Sequence, residues 1–145
     1  MRQELLDAAR LDCGKNHHLL REITQVLITM STEMHEHLIK EESVLFPYVI
    51  SLEKALQNHK PRPYSPFGDM NNPISLMEDE HKDVHSGLAR MLELSHRLVL
   101  HDHFEPALSE FLSGLDLLEK DINQHTHLEN DILYPKARAL DRQFK

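Results

Sequence analysis

The sequence predicts an all-α bundle, with residues 1–145 forming a single domain. Three observations carry this expectation. Apolar residues recur in unbroken steps of three and four along three separate stretches, the spacing of one face of a helix. Leu, Ile, Val and Met supply most of an apolar fraction of 40%, while Trp is absent and aromatics reach only 6%. That profile suits helices better than a β-sandwich. Four glycines leave little material for tight hairpins.

Residues 1–15 form an N-terminal segment. From about residue 16 to 49 one seam runs through Leu20, Ile23, Leu27, Met30, Met34, His37, Glu41, Val44 and Tyr48. Neither Gly nor Pro falls between Gly14 and Pro47, so nothing breaks that helix. The stretch QNHKPRPYSPFGDMNNP, residues 57–73, is crowded with breakers and is expected to be one long loop. Asn72-Pro73 then opens a helix, with Asn as N-cap and Pro at the first helical position. Its seam is Ile74, Met77, His81, Val84, Leu88 and Met91, and it can run to about Leu100. LHDHFEP makes a short connection, and Pro106 opens the last helix, expected to end near Pro135. Its seam is Leu108, Phe111, Leu115, Leu118, Ile122, His125, Glu129 and Ile132.

Two segments repeat one phrase. Residues 37–47 are HLIKEESVLFP, and residues 125–135 are HTHLENDILYP. Each places a His and, four residues later, a Glu in its seam, and His81 occupies a seam position on the middle helix. An ionised Glu in an apolar core is expensive unless paired or metal-bound. Positions i and i+4 lie about 40° apart on a helix, one turn up, so each pair can present an imidazole and a carboxylate to one point. His81 and His85 share that spacing. Imidazole and carboxylate without thiolate suit iron, manganese or zinc, and bundle interiors lined by inward Glu and His are how di-iron carboxylate proteins are built. His127 and His35 point about 160° away from His125 and His37 and are expected outside the cluster. His59, His96, His101 and His103 sit in or near loops, while Glu42, Glu78, Asp79 and Glu80 are expected on a solvated face.

Charge and cysteine narrow the setting. A net charge of −8 argues against nucleic acid and against anionic membrane surfaces. The single cysteine, Cys13, forms no internal disulfide, and neither a signal peptide nor a long apolar run is present. A reducing cytoplasm is the expected location.

HLIKEESVLFP, NPISLMEDEH and HTHLENDILYP resemble the signature segments of the hemerythrin-like repair-of-iron-centres family. The similarity covers roughly residues 19–138. It implies an up-down four-helix bundle around two non-haem iron ions bridged by oxo and carboxylate groups, while the ligand types permit manganese as well. Carried over position by position, the family's ligands fall on His37, Glu41, His81, His125 and Glu129, the two glutamates bridging. NHHLLRE resembles the family's first ligand segment and points to His17 or His18. At His85 the repair proteins carry a small residue, whereas oxygen-carrying hemerythrins have a His-x-x-x-His pair there, so His85 is a candidate extra ligand. The second His-x-x-x-Glu spacing favours the repair group. The small N-terminal domain with a Cys-Cys pair, found in many members, has no counterpart in LDCGK beyond one Cys.

The resemblance implies restoration or protection of iron–sulfur clusters under nitrosative or oxidative stress, with damaged iron–sulfur proteins as partners. Nitric oxide reduction at the same centre would make the protein an enzyme. The alternative is reversible binding of dioxygen or nitric oxide by a hemerythrin-like carrier or sensor.

An assembly follows from the first helix. His17 and His37 are about 30 Å apart on one continuous helix, at 1.5 Å per residue, too far to share a metal pair. A hairpin between them would turn at Leu27-Ile28-Thr29-Met30, which are poor turn residues. The first helix is therefore expected to be fused to the second, and two chains to form a domain-swapped homodimer; the alternative is a monomer with a tight turn near Ser31-Thr32, where Ser or Thr caps a second helix.

Overall fold

Among the residues that the computed structural model describes, 17–98 and 105–144, every regular element is helical. The elements are α1 (His17–Lys40), a π-helical turn π1 (Glu41–Leu45), α2 (Phe46–Gln57), α3 (Asn71–His96), α4 (Glu105–His127), a second π-helical turn π2 (Leu128–Leu133) and α5 (Tyr134–Arg142). The expected all-α class holds. Cys13, His101 and His103 lie outside the described residues.

The first and last helices run further than their prolines suggest. α1, π1 and α2 are continuous, with no turn near residues 27–32, so the fusion expected from the seam holds. The helix expected to stop near residue 49 reaches Gln57, and the one expected to stop near Pro135 reaches Arg142. The reason is the π turn. The Phe46 N–H bonds to the Glu41 carbonyl and the Tyr134 N–H to the Glu129 carbonyl, each a step of five residues. Pro47 and Pro135 then fall in the first turn of a fresh α segment, where a missing N–H costs little.

The inserted residue also rotates the face that follows. Val44 and Ile132, expected in the core, are 42% and 40% exposed, while Leu45 and Tyr134 turn inward in their place. A paired substitution tests this register. Leu45→Ala is expected to cost about 2–4 kcal/mol in denaturant unfolding, and Val44→Ala less than about 1 kcal/mol. The reverse order would restore the simple three-four seam.

Local chemistry sets the other boundaries. α2 ends where His59 adopts a left-handed conformation (φ 51°) and the Lys60 N–H reaches back 2.8 Å to the Ala55 carbonyl, a Schellman-type stop. α3 begins one residue before the expected cap. Asp69 Oδ1 accepts the Asn71 N–H at 2.8 Å, while the Asn72 side chain donates to the Phe67 carbonyl at 3.2 Å.

The chain divides into two compact units, one of residues up to Thr32 with Asp83–Asn123, the other of Glu33–Lys82 with Gln124–Lys145. In the first, Leu20, Ile23 and Leu27 of α1, Val84, Leu88 and Met91 of α3, and Leu108, Phe111 and Leu115 of α4 are buried. In the second, Leu45, Tyr48 and Leu52 pack with Met70, Ile74, Met77, Tyr134 and Ala137. The 58–70 loop is tied down in this unit by Arg62, whose Nε donates to buried Asp141 at 2.9 Å. Among the described residues no helix is long and apolar enough to cross a membrane.

Candidate metal centre

The second unit holds a cluster of five side chains. His37 comes from α1, Glu41 from π1, His81 from α3, His125 from α4 and Glu129 from π2. Each offers one ligand atom, and these atoms all lie within 4.8 Å of one another. Both His-x-x-x-Glu pairs straddle the entry to a π turn, a distortion found often at functional sites.

The imidazoles converge through Nε2. His37 and His81 Nε2 are 3.1 Å apart. Glu129 Oε2 lies 2.9 Å from His81 Nε2, 3.0 Å from His125 Nε2 and 3.9 Å from His37 Nε2, and Glu41 Oε1 lies 3.4 Å from His37 Nε2. The far ring nitrogens are held from behind. His37 Nδ1 is 2.8 Å from Glu80 Oε2, and Lys40 Nζ donates to the other oxygen of that carboxylate. A carboxylate only accepts, so His37 donates through Nδ1 and aims Nε2 inward. His81 Nδ1 is 2.9 Å from Asn130 Oδ1. Such outer partners fix ring orientation and tautomer at metal sites.

The electrostatics favour a cation here. Burial alone would lower the His37 pKa, but hydrogen bonds to Glu129, Glu41 and Glu80 outweigh it and push it up to about 10. His125 is also raised, chiefly by Glu129. Burial would raise the Glu129 carboxyl, yet His125, His37 and His81 hold it well below the usual carboxylate range. Burial and then Glu41 push the Tyr134 phenol up, and its hydroxyl lies 2.8 Å from Glu41 Oε1 and 3.0 Å from Glu129 Oε2.

The donor set fits a first-row metal ion. It comprises three imidazoles and two carboxylates with no thiolate, the combination that suits iron, manganese or zinc. Two of its atoms, Glu41 Oε2 and His125 Nε2, are buried without an aligned hydrogen-bond partner, which a protein seldom tolerates unless something else satisfies them.

Not every residue expected from sequence joins the cluster. His17 and His18 are exposed in the first turn of α1, with His18 Nε2 3.8 Å from Glu22. His85 belongs to the first unit, where it lines a cavity of about 140 Å³ with Leu88, Ala89, Leu92, Leu115 and Glu119. His127 is exposed and pairs with Asp131 at 2.7 Å. Glu80, expected on a solvated face, instead backs His37 and is only 21% exposed. Asn130 and Tyr134 also escaped notice. The one available signal was the difference between the two phrases, which place Asn130 opposite Glu42 and Tyr134 opposite Phe46.

The family model described as the hemerythrin HHE cation binding domain matches residues 1–137. The chain is 29% identical over 128 residues to the iron-sulfur cluster repair protein YtfE of Pectobacterium carotovorum subsp. carotovorum, covering 88% of this chain and 49% of that protein. It is 30% identical over 123 residues to the iron-sulfur cluster repair protein DnrN of Neisseria gonorrhoeae, covering 83% and 67%. Against YtfE of Escherichia coli O81 the identity is 26% over 117 residues, covering 81% and 47%. The chain thus spans about half the length of the YtfE relatives it matches. No solved structure matches it.

Proposed function

Because the chain belongs to the hemerythrin HHE cation-binding domain family, we propose that His37, Glu41, His81, His125 and Glu129 hold two iron ions, and that this centre serves the repair of damaged iron–sulfur clusters. The observation that carries the reading is the convergence of three Nε2 atoms and two carboxylates on one buried point. Relatives named for cluster repair supply the process. Bound iron would supply redox-active Lewis acidity and a releasable metal. The chain's own work is to orient the donors. Glu80 and Asn130 fix two imidazoles from behind, and each glutamate has a second oxygen with which to reach a second metal.

The partners are iron–sulfur proteins of a reducing compartment, where one cysteine in the chain is unremarkable. The test is metal analysis of protein purified without oxygen from its native host, then addition of that protein to an iron–sulfur enzyme inactivated by nitric oxide. About two iron per cluster of five residues and recovery of enzyme activity are expected. Manganese in place of iron rejects the metal assignment. Reversible uptake of dioxygen without recovery of the enzyme moves the protein to the carrier class.

We further propose that the working form is a homodimer in which each chain lends the N-terminal half of α1 to its partner, bringing His17 or His18 of one chain level with His37 of the other. The support is the unbroken helix from His17 through π1, which separates these residues by about 30 Å within one chain.

A further inference from the structure

The two copies of the repeated phrase differ in one aromatic residue. Phe46 in the first packs against the apolar cluster of its unit. Tyr134 in the second has 0% exposure and carries a hydroxyl where Phe46 has none. That hydroxyl lies between two carboxylates from different helical runs, 2.8 Å from Glu41 Oε1 and 3.0 Å from Glu129 Oε2. The ring lies nearly parallel to His81, with 6.0 Å between centroids and 9° between planes. Tyr48, buried in the same unit, makes no aligned hydrogen bond through its hydroxyl and has Arg62, not a pair of carboxylates, beside it, so burial alone does not bring a tyrosine hydroxyl between two carboxylates.

We propose that Tyr134 is a positioning residue of the centre, tying Glu41 to Glu129 so that both carboxylates stay within reach of the same two metal ions. A phenol carries one proton and donates one hydrogen bond at a time. Placed between two carboxylates, it offsets some of their mutual repulsion and fixes the distance between them. Glu41 and Glu129 sit on separate π turns, π1 and π2, and both approach the Tyr134 hydroxyl, at 2.8 and 3.0 Å, more closely than they approach His37 Nε2, at 3.4 and 3.9 Å. The ring's stacking on His81 extends the support to a third donor. The role rests on the metal reading above and acts through the carboxylates rather than on the metal.

The experiment uses cobalt(II) as a probe, with affinity read by competition against a chromophoric chelator. Tyr134→Phe keeps the ring and removes only the hydroxyl. Cobalt affinity is expected to fall about ten- to hundred-fold, the range for an outer-sphere partner of a metal ligand, with the helical circular dichroism signal unchanged. Affinity within twofold of the unsubstituted protein overturns the proposal. Failure of the unsubstituted protein to bind cobalt at all rejects the metal reading instead. A visible phenolate-to-iron band in the ferric-loaded protein, lost in Tyr134→Phe, also overturns it, because Tyr134 would then be a ligand. A second measurement guards against misfolding of that variant. The chain has three tyrosines and no tryptophan, so in a Tyr48→Phe, Tyr64→Phe background the near-ultraviolet difference spectrum on adding cobalt reports Tyr134 alone. A difference signal saturating with cobalt binding is expected, and its absence overturns the proposal.

Discussion

Glu129→Ala is expected to strip the centre of metal, leaving less than one ion per chain after anaerobic loading with ferrous iron and desalting. The expectation follows from where one atom sits. Glu129 Oε2 approaches His81 Nε2 and His125 Nε2 to 2.9 and 3.0 Å and the Tyr134 hydroxyl to 3.0 Å. Removing the carboxylate leaves three imidazoles facing one another, with Glu41 as the sole remaining acid among the five. Each carboxylate is proposed to serve both ions, so neither site survives intact. Glu41→Ala is expected to behave alike, because Glu41 is fully buried and its Oε2 has no other partner. Stability gives an independent readout. A ligand that binds only the folded state stabilises it by about 4 kcal/mol at a thousand times its Kd, so metal should raise the unfolding midpoint of the unsubstituted protein and leave that of Glu129→Ala unmoved. The metal-depleted variant should itself be weakened by roughly 3–5 kcal/mol, the usual cost of removing one partner from a buried charged cluster. His127→Ala is the control, since its ring is exposed against Asp131, and its metal content should not change. Two ions per chain in Glu129→Ala would sink the bridging assignment.

Periodicity made the helices and the five converging residues legible in the sequence, and it failed at the π turns for an identifiable reason. In the middle helix every seam residue from Ile74 to Met91 is buried, because no insertion disturbs the count. At the repeated phrase the sequence offers apolar residues in both registers. Val44 stands beside Leu45, and Ile132 beside Leu133 and Tyr134, so a straight α-helix and one with an inserted residue are equally well supplied with core. The hydrogen bonds from Phe46 to Glu41 and from Tyr134 to Glu129 decide between them, and pattern alone carries no record of such a bond. Glu80 was hidden differently. It stands in the acidic run Glu78-Asp79-Glu80, and lies about 100° around the helix from His81, where a solvated face is the ordinary expectation. Only the approach of α1 turns that position into a partner for His37 and Lys40. Tertiary neighbours, not local preference, assigned its role.

Inserting Gly-Asn-Gly after Ile28 is expected to convert the protein from dimer to monomer, halving its mass by light scattering at micromolar concentration. The argument begins with α1, which passes residues 27–32 without a break. Thr24 and Thr32 donate their hydroxyls to carbonyls four residues back, at 2.8 and 3.0 Å, so neither hydroxyl caps the start of a new helix. A helix that cannot fold back within its own chain can still pack antiparallel against a second copy. A two-fold axis level with Leu27 sets His17 opposite the partner's own residue 37 position. The same axis sets His18 against position 36, occupied by Glu36, and Gln25 against position 29, occupied by Thr29. All four of His18, Gln25, Thr29 and Glu36 are exposed on α1, and their spacing of seven, four and seven residues forms one helical stripe. Pairing it with itself puts a histidine beside a glutamate at each end and uncharged polar residues at the centre, so like charges are kept apart, as a self-complementary interface requires. A flexible turn after Ile28 lets the N-terminal half fold back onto its own chain, relieving the need for a partner. Metal content should survive the insertion, because it completes the same arrangement within one chain. The unmodified protein running as a monomer with its metal complement intact would falsify the exchange, and a dimer that persists after the insertion would place the interface elsewhere.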